Sequence, residues 1–475
     1  MTLQTAQYRL ARYYLNKLRT ASTVVKRGRT GVGYGLNLFD QEWHQIKYWQ
    51  AWSAQHSAES KEWTLLCKDF PLAGHDVLTA RNHTAEHASW LETALGAARQ
   101  LQDLVAEGTI LSELYLIYYR LGSLDKVERY ARQLLQLGEM TGNLLYVGRG
   151  LHGLGVFAAE RSLYADAEQY QRRALEIFTQ LGIDAEITRV TNSLGIITYE
   201  IGDYEQAYQW LLRHLELTEA AGKKPEFCTA LLCMGELMVR LKEYAKAEAY
   251  ILRAVAMCRT CGFQRLLGVG LINLGGWAKE QNQLEAAASH LEEGIEAVRS
   301  TGTQRQIIRG LCLLGDTRMR QGNYDEALAH LHEGLQIGLS VGLPRYICDI
   351  QYTLANTYLA LDDLDAARSA LHEALTIAAR HNLYFQKVKA LCSAIAYHQR
   401  IGCFEQAARW AGTLADNLQA DQAFLQAACS DLEAALGNHV FEQAFELGKA
   451  LTLNLALDEA ITMMEQPVEE LLLMA

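Results

Sequence analysis

Leu121-Gly-Ser-Leu124-Asp-Lys-Val127, Arg161-Ser-Leu-Tyr164-Ala-Asp-Ala167 and Ile201-Gly-Asp-Tyr204-Glu-Gln-Ala207 are the first three copies of one phrase. It returns as Leu241-Lys-Glu-Tyr244-Ala-Lys-Ala247, Gln281-Asn-Gln-Leu284-Glu-Ala-Ala287 and Gln321-Gly-Asn-Tyr324-Asp-Glu-Ala327. Leu361-Asp-Asp-Leu364-Asp-Ala-Ala367 and Ile401-Gly-Cys-Phe404-Glu-Gln-Ala407 complete a set of eight, each at the same interval after the last. A fixed period of about 40 residues belongs to a solenoid, in which every repeat contacts its neighbours and none folds alone.

Around that phrase each repeat reads as two helices. The first carries Leu154-Gly155, Leu194-Gly195, Met234-Gly235, Leu274-Gly275 or Leu314-Gly315. Glycine inside a helix costs about 1 kcal/mol relative to alanine, so five in register imply a neighbouring helix too close for a side chain. The small Ala167, Ala207, Ala247, Ala287 and Ala327 serve the second helix in the same way. That second helix is expected to end at Gly142, Gly182, Gly222, Gly262, Gly302 and Gly342, with Asn382 in the seventh position. Glycine and asparagine accept the left-handed backbone that closes a helix. The pairs are therefore antiparallel and stacked in one direction.

Outward from the array, residues 4–20 form an amphipathic helix, and 22–38 read as a loop containing Gly28, Gly31, Gly33 and Gly35. A helix is expected over 41–55 with Trp43, Ile46, Trp49 and Trp52, and another over 61–70, stopped by Pro71. Trp90 and Leu95 lie one full period before Tyr130 and Leu135, so the register begins early. The organisation expected is an N-terminal helical cap over 1–78, a superhelical array over 79–420, and capping helices with a tail over 421–475.

Composition excludes several classes. The 475 residues are half hydrophobic with only four prolines, as a nearly all-helical chain requires. No run of about 18 uncharged apolar residues marks a membrane span, and the N-terminus lacks the apolar core of a secretory signal. Ten scattered cysteines at helical core positions point to reduced thiols in a cytoplasmic protein. The net charge is −11, but residues 1–39 hold seven basic side chains and no acidic one, which leaves −18 for the rest. An acidic array of this kind is not a nucleic-acid binder along its length.

The Leu-Gly, Gly-x-Tyr and Ala spacing resembles the tetratricopeptide repeat, in a longer form with an extended second helix. The resemblance implies an all-α fold, a right-handed superhelix of about eight helix-turn-helix repeats whose first helices line a concave groove. A second resemblance rests on Tyr13-Tyr14-Leu15, Glu42-Trp43-His44-Gln45-Ile46, Trp49-Gln-Ala-Trp52 and Trp90-Leu91-Glu92-Thr-Ala94-Leu95. With Leu436-Gly437 and Phe441 to Thr452 at the other end, these look like the segments that flank the sensor arrays of bacterial STAND-type signalling ATPases. In that family an NTPase domain precedes the sensor. This chain begins where the sensor begins, which implies a free-standing sensor module or fragment and a separate effector or NTPase partner.

Three stretches are candidates for chemistry. Gly28-Arg-Thr-Gly31-Val-Gly33-Tyr-Gly35 is glycine-rich but is not followed by a lysine that opens a helix, as a phosphate loop needs. His83-Thr-Ala-Glu86-His87 has the spacing of an inverted zinc-protease motif and is the one enzyme alternative, a zinc hydrolase. Cys258-Arg-Thr-Cys261 is a lone CxxC without a second pair. No catalytic residue, cofactor or metal is assigned.

What remains is the surface that the tetratricopeptide resemblance turns toward the groove. Its candidate binding residues are Arg149, His152, Arg189, Asn192, Glu236, Arg240, Arg309, Asp316, Tyr352 and Asn356. The same face also carries Glu160, Glu200, Lys279, Glu280, Cys312, Arg320 and Asp349. Glu236/Arg240 and Asp316/Arg320 are spaced to pair along one helix. Lysine and asparagine do not recur as they do in the clamp for chaperone tails. The row mixes charges, amides and an aromatic, and it differs from repeat to repeat. The expectation is a non-catalytic protein- or peptide-binding sensor or scaffold in a bacterial signalling, regulatory or defence system. A quorum-sensing-type receptor for small peptides and a purely structural spacer are the alternatives.

Overall fold

The computed structural model describes residues 3–26, 32–81, 83–300, 304–417, 420 and 422–466. Its contacts divide the chain into two compact units, Met1–Phe157 with Gln169–Ile187, and Ala158–Glu168 with Thr188–Ala475.

In the first unit, α1 (Leu3–Lys26), α2 (Val32–Gln55) and α3 (Lys61–Ala80) pack on one another around Leu15, Leu18, Phe39, Ile46, Trp49, Trp63 and Phe70. The helices run further than the sequence predicts. Gly33 and Gly35 lie inside α2 rather than in a loop, because α1 and α2 cross there. A Cβ on Gly35 would stand 2.8 Å from the Ala21 carbonyl oxygen. Residues 27–31, the centre of the predicted loop, lie outside the described residues.

Pro71 does not stop α3. Proline in a helix forfeits a hydrogen bond and crowds the preceding turn, but Pro71 is itself buried, and beyond it Val77 and Leu78 are fully buried. Their packing holds the helical path to Ala80. Then α4 (Thr84–Gln100), α5 (Leu104–Arg120) and α6 (Leu124–Thr141) follow, α5 opened by Asp103, whose carboxylate accepts from the Ala106 amide at 3.0 Å. Next in the chain are α7 (Leu144–Glu160), α8 (Tyr164–Leu181) and α9 (Asp184–Ile201).

The second unit continues with α10 (Tyr204–Ala220), α11 (Lys224–Arg240), α12 (Tyr244–Cys261), α13 (Gln264–Glu280), α14 (Leu284–Arg299) and α15 (Gln304–Arg320). It ends with α16 (Tyr324–Val341), α17 (Pro344–Ala360), α18 (Leu364–Arg380), α19 (Tyr384–Arg400), α20 (Phe404–Leu414), α21 (Gln422–Leu436), α22 (Asn438–Lys449) and α23 (Leu453–Glu465). Consecutive helices pack as pairs, and the first helices α11, α13, α15, α17 and α19 also touch one another in series.

The recurring Gly and Ala positions find their reason here. A Cβ on Gly235, Gly275 or Gly315 would stand 2.6, 2.5 or 2.6 Å from Ile251, Leu291 or Leu331 of the paired helix. Ala207, Ala247, Ala287 and Ala327 are fully buried. Gly142, Gly182, Gly222, Gly262 and Gly342 have φ between 65° and 72°, and Asn382 has 50°. Gly302 lies outside the described residues.

The turn between the two helices of a repeat holds a second left-handed position. It falls on Gly122, Ser162, Gly202, Lys242, Asn282, Gly322, Asp362 and Gly402, once in every repeat. Four of these are not glycine, so residue type alone did not mark them.

At the end of the array α20 and α22 cross backbone to backbone at Gly412 and Gly448. Then α23 returns onto α18, α19 and α20, held by Arg368 of α18 donating to the Gln466 carbonyl at 2.8 Å and by Arg409 of α20 pairing with Glu459 at 2.8 Å.

Candidate functional site

The first helices of the second unit bring charged residues far apart in the chain into one inner row. The end of α7 meets the start of α15, where Glu160 and Arg305 pair at 2.5 Å. One repeat on, the end of α9 meets the start of α17 through Glu200 and Arg345. After one more repeat, the end of α11 meets the start of α19, and the guanidinium of Arg240 lies 4.1 Å from the Phe385 ring centroid. Each of these rungs joins residues 145 apart, so the coil brings together helices almost four repeats distant.

Between the rungs the row is polar and interlocked. Arg309 donates to Asn273 Oδ1 at 2.6 Å and pairs with Glu236 at 3.3 Å, while Asn273 donates to the Leu232 carbonyl. Lys279 meets Asp316 at 2.5 Å, and Arg320 meets the same carboxylate at 3.1 Å. Arg240 donates to the Tyr199 hydroxyl at 2.7 Å, and Lys389 to the Tyr352 hydroxyl at 2.6 Å.

Burial and neighbours set the charges. Burial raises Glu200 to about 7 against the pull of Arg345. Burial also opposes ionisation of Glu236, but Arg309, Arg345 and Arg240 together hold its carboxyl below the ordinary range. Asp316 is likewise held low, by Lys279 and Arg320 against burial. Burial, with Arg240 nearby, lowers Lys389 to about 8.

The ten sequence-predicted residues distribute unevenly. Glu236, Arg240, Arg309, Asp316 and Tyr352 are brought together in the inner row of the second unit. Asn192 joins them through Cys233, whose thiol lies 3.6 Å from its Oδ1, and Asn356 is half-buried on α17. Arg189 is exposed on α9. Arg149 and His152 belong to the first unit. Arg149 pairs with Glu186 at 2.7 Å, and His152 is buried at 2% exposure, with its Nδ1 2.8 Å from Gln171 Oε1. His152 is thus a core residue rather than an open groove contact, because α8 covers it.

One expected pair is corrected. Asp316 and Arg320 do pair along α15, but Glu236 turns to Arg309 and Arg240 turns to Tyr199. The residues that sequence reasoning missed are Arg305, Arg345, Phe385 and Lys389. A signal was present, since Arg265, Arg305 and Arg345 recur on the repeat period, but their partners depend on the pitch of the coil.

The other candidates have local roles. His83 stacks on Trp43 with centroids 4.4 Å apart, while the buried His87 has its Nε2 3.2 Å from the Pro71 carbonyl oxygen. The two imidazoles are engaged separately. Among the described residues no three metal-ligating side chains gather. Cys258 is buried against Cys228 and Leu266, and burial raises its thiol to about 12. No described helix is long and apolar enough to cross a membrane.

Antiparallel helix pairs with tight Gly and Ala approaches, repeated on one fixed period, define an α-solenoid. The chain is a tetratricopeptide-repeat protein: residues 146–220 match the tetratricopeptide repeat, and residues 224–435 match the MalT-like TPR region. Its fold is similar to that of a Rap protein complexed with competence and sporulation factor. There the TM-score is 0.54 and the identity 12%, over 82% of this chain and all of that one. It is also similar to the Rap conjugation gene regulator of plasmid pLS20 in complex with the Phr* peptide. That match has a TM-score of 0.51 and 13% identity, over 75% of this chain and 97% of the other. A third similar structure is PH0952 of Pyrococcus horikoshii, a STAND protein with a tetratricopeptide repeat sensor. It matches with a TM-score of 0.45 and 14% identity over 74% of this chain and 55% of that one. No curated protein sequence matches the chain.

Proposed function

We propose that this chain is a non-catalytic recognition module that binds a peptide or protein segment along the inner row of its second unit. It acts as the sensor or scaffold of a bacterial signalling, regulatory or defence system in the cytoplasm, and a separate effector or NTPase reads its state. The observation that carries this reading is the inner row itself. Buried and half-buried cations, carboxylates, amides and tyrosines sit side by side on repeat register, yet differ from one repeat to the next. A packing surface has no need of that variety.

Ligand binding acts through the rungs. A ligand that binds the rung-closed and rung-open arrangements unequally shifts the population between them, and only such a difference transmits a signal. A small-peptide receptor is the second reading. The peptide and signalling-factor complexes in the two Rap structures of similar fold favour it.

The test is affinity capture from the native host with wild type and Arg189→Ala/Glu236→Ala/Arg309→Ala in parallel. Retention of a partner by wild type and its loss by the folded variant support groove recognition. Equal retention by both moves the interface elsewhere and sinks the proposal.

A further inference from the structure

The three rungs share one register but not one chemistry. Glu160 faces Arg305, and Glu200 faces Arg345, each an acid against a base. In the third rung the acid position holds Arg240 and the arginine position holds Phe385. One turn further along α19 stands Lys389, its ammonium 4.8 Å from the centroid of that same Phe385 ring and 4.8 Å from that of Tyr352. Two cations therefore share one aromatic ring where the register supplied an ion pair twice before.

Neither cation forms an ion pair among the described residues. Their polar partners are the Tyr199 and Tyr352 hydroxyls, which are neutral. Both side chains are half-buried, so they are partly desolvated and still reachable from the inner row. Two partly desolvated cations without a directly paired counter-charge are costly to hold in a fold. The neighbouring cations are already matched: Arg309 by Glu236, Arg320 and Lys279 by Asp316, and Arg345 by Glu200. What the third rung lacks is one anion.

We propose that Arg240 and Lys389 form the binding site for a carboxylate of the peptide ligand, which takes the place of the acid missing from the third rung. This rests on the inner row's being a peptide site, as proposed above. The surroundings favour a carboxylate over a more highly charged group. Glu236, Glu280, Asp316 and Asp349 line the same row, and would repel a phosphate dianion more strongly than a single negative charge. A guanidinium and an ammonium together supply charge-assisted hydrogen bonds to both oxygens. The aromatic rings of Phe385 and Tyr352 hold the cations in place when the site is empty.

The experiment uses the full chain and a random library of short synthetic peptides with free C-termini. Peptides enriched on the immobilised protein are identified by mass spectrometry and resynthesised in two altered forms, C-terminally amidated and with Asp and Glu replaced by Asn and Gln. The expected result is that one alteration weakens binding to wild type by at least about tenfold, which also tells a terminal from a side-chain carboxylate. Arg240→Gln and Lys389→Gln should each lose affinity for the unaltered peptide and discriminate less between the forms. Peptides that bind wild type equally in all three forms overturn the carboxylate site and leave the groove function standing. If wild type enriches no peptide, both fall. Because the peptide is altered and the protein is not, a variant that fails to fold does not decide the outcome.

Discussion

Glu200 and Arg345 stand 145 residues apart in the chain and form an ion pair within the inner row. The pair ties the end of α9 to the start of α17, and Arg345 also lies 3.9 Å from Asp349. Burial nevertheless raises Glu200 to about 7, so desolvation outweighs the attraction of its partner. This rung holds the coil together through a carboxyl group poised near neutrality.

Arg345→Met should destabilise the second unit by about 3 kcal/mol at pH 8, because it strands a buried carboxylate. The loss should be smaller at pH 6. With the guanidinium gone, Glu200 moves further above its unfolded value. A carboxyl raised in this way contributes stability while protonated and loses it as pH rises through the folded value. Glu200→Gln removes the titrating carboxyl and leaves Arg345 with Asp349 at 3.9 Å, so the stability of that variant should change less between pH 6 and pH 8 than that of Arg345→Met. Thermal melts of both variants at the two pH values check this; equal losses at pH 6 and pH 8 for Arg345→Met would contradict it.

Neighbouring glycines on α13 should respond in opposite directions. A Cβ on Gly275 would stand 2.5 Å from Leu291 Cγ and 3.1 Å from the Ala287 carbonyl oxygen, so Gly275→Ala should cost about 1–3 kcal/mol. A Cβ on Gly276 meets only Leu313 Cδ1, at 3.6 Å. Gly276→Ala should therefore gain up to about 1 kcal/mol from helix propensity. Urea midpoints of the two variants give the comparison.

Lys242 holds φ at 59° in the turn between α11 and α12, where other repeats place Gly202 and Gly322. Lys242→Gly should raise stability by about 0.5–1 kcal/mol, since a side chain in the left-handed region costs about 1–2 kcal/mol. Denaturant unfolding that shows no gain would mean that the lysine stem makes compensating contacts.

Lys389→Met should stabilise the ligand-free chain at pH 7, by about 1 kcal/mol. The groups around the ammonium are Arg240 and Lys279, which oppose its charge, and Asp349 and Asp316, which favour it. Burial and Arg240 prevail and bring Lys389 down to about 8. A lysine lowered on folding penalises the fold while charged, and the penalty fades as pH rises from about 8 toward the unfolded value of about 10.4. The advantage of Lys389→Met should accordingly shrink between pH 8 and pH 10, as melting curves over that range can show.

Much of the candidate site could be read as a list of residues, yet not as an arrangement. Glu236, Arg240, Arg309, Asp316 and Tyr352 fall on one face by repeat register alone. Their partners did not follow, because Arg240 was expected to meet Glu236 four residues away and instead meets Tyr199 and Phe385. His152 shares that register position but is covered by α8. At the N-terminus, Pro71 and Gly35 were read by their local propensities, and packing around them overrode both.

The sequence by itself determined the repeat, the two helices within it, the glycine and alanine contacts between them, and most of the left-handed helix ends. All of these act within a single repeat, where spacing maps directly onto a helix face or a turn. Only the tertiary structure decided which repeats meet across the coil. The rungs from Glu160, Glu200 and Arg240 to Arg305, Arg345 and Phe385 depend on a small rotation accumulated over almost four repeats. That rotation is set by the summed packing of many side chains and is written in no single motif.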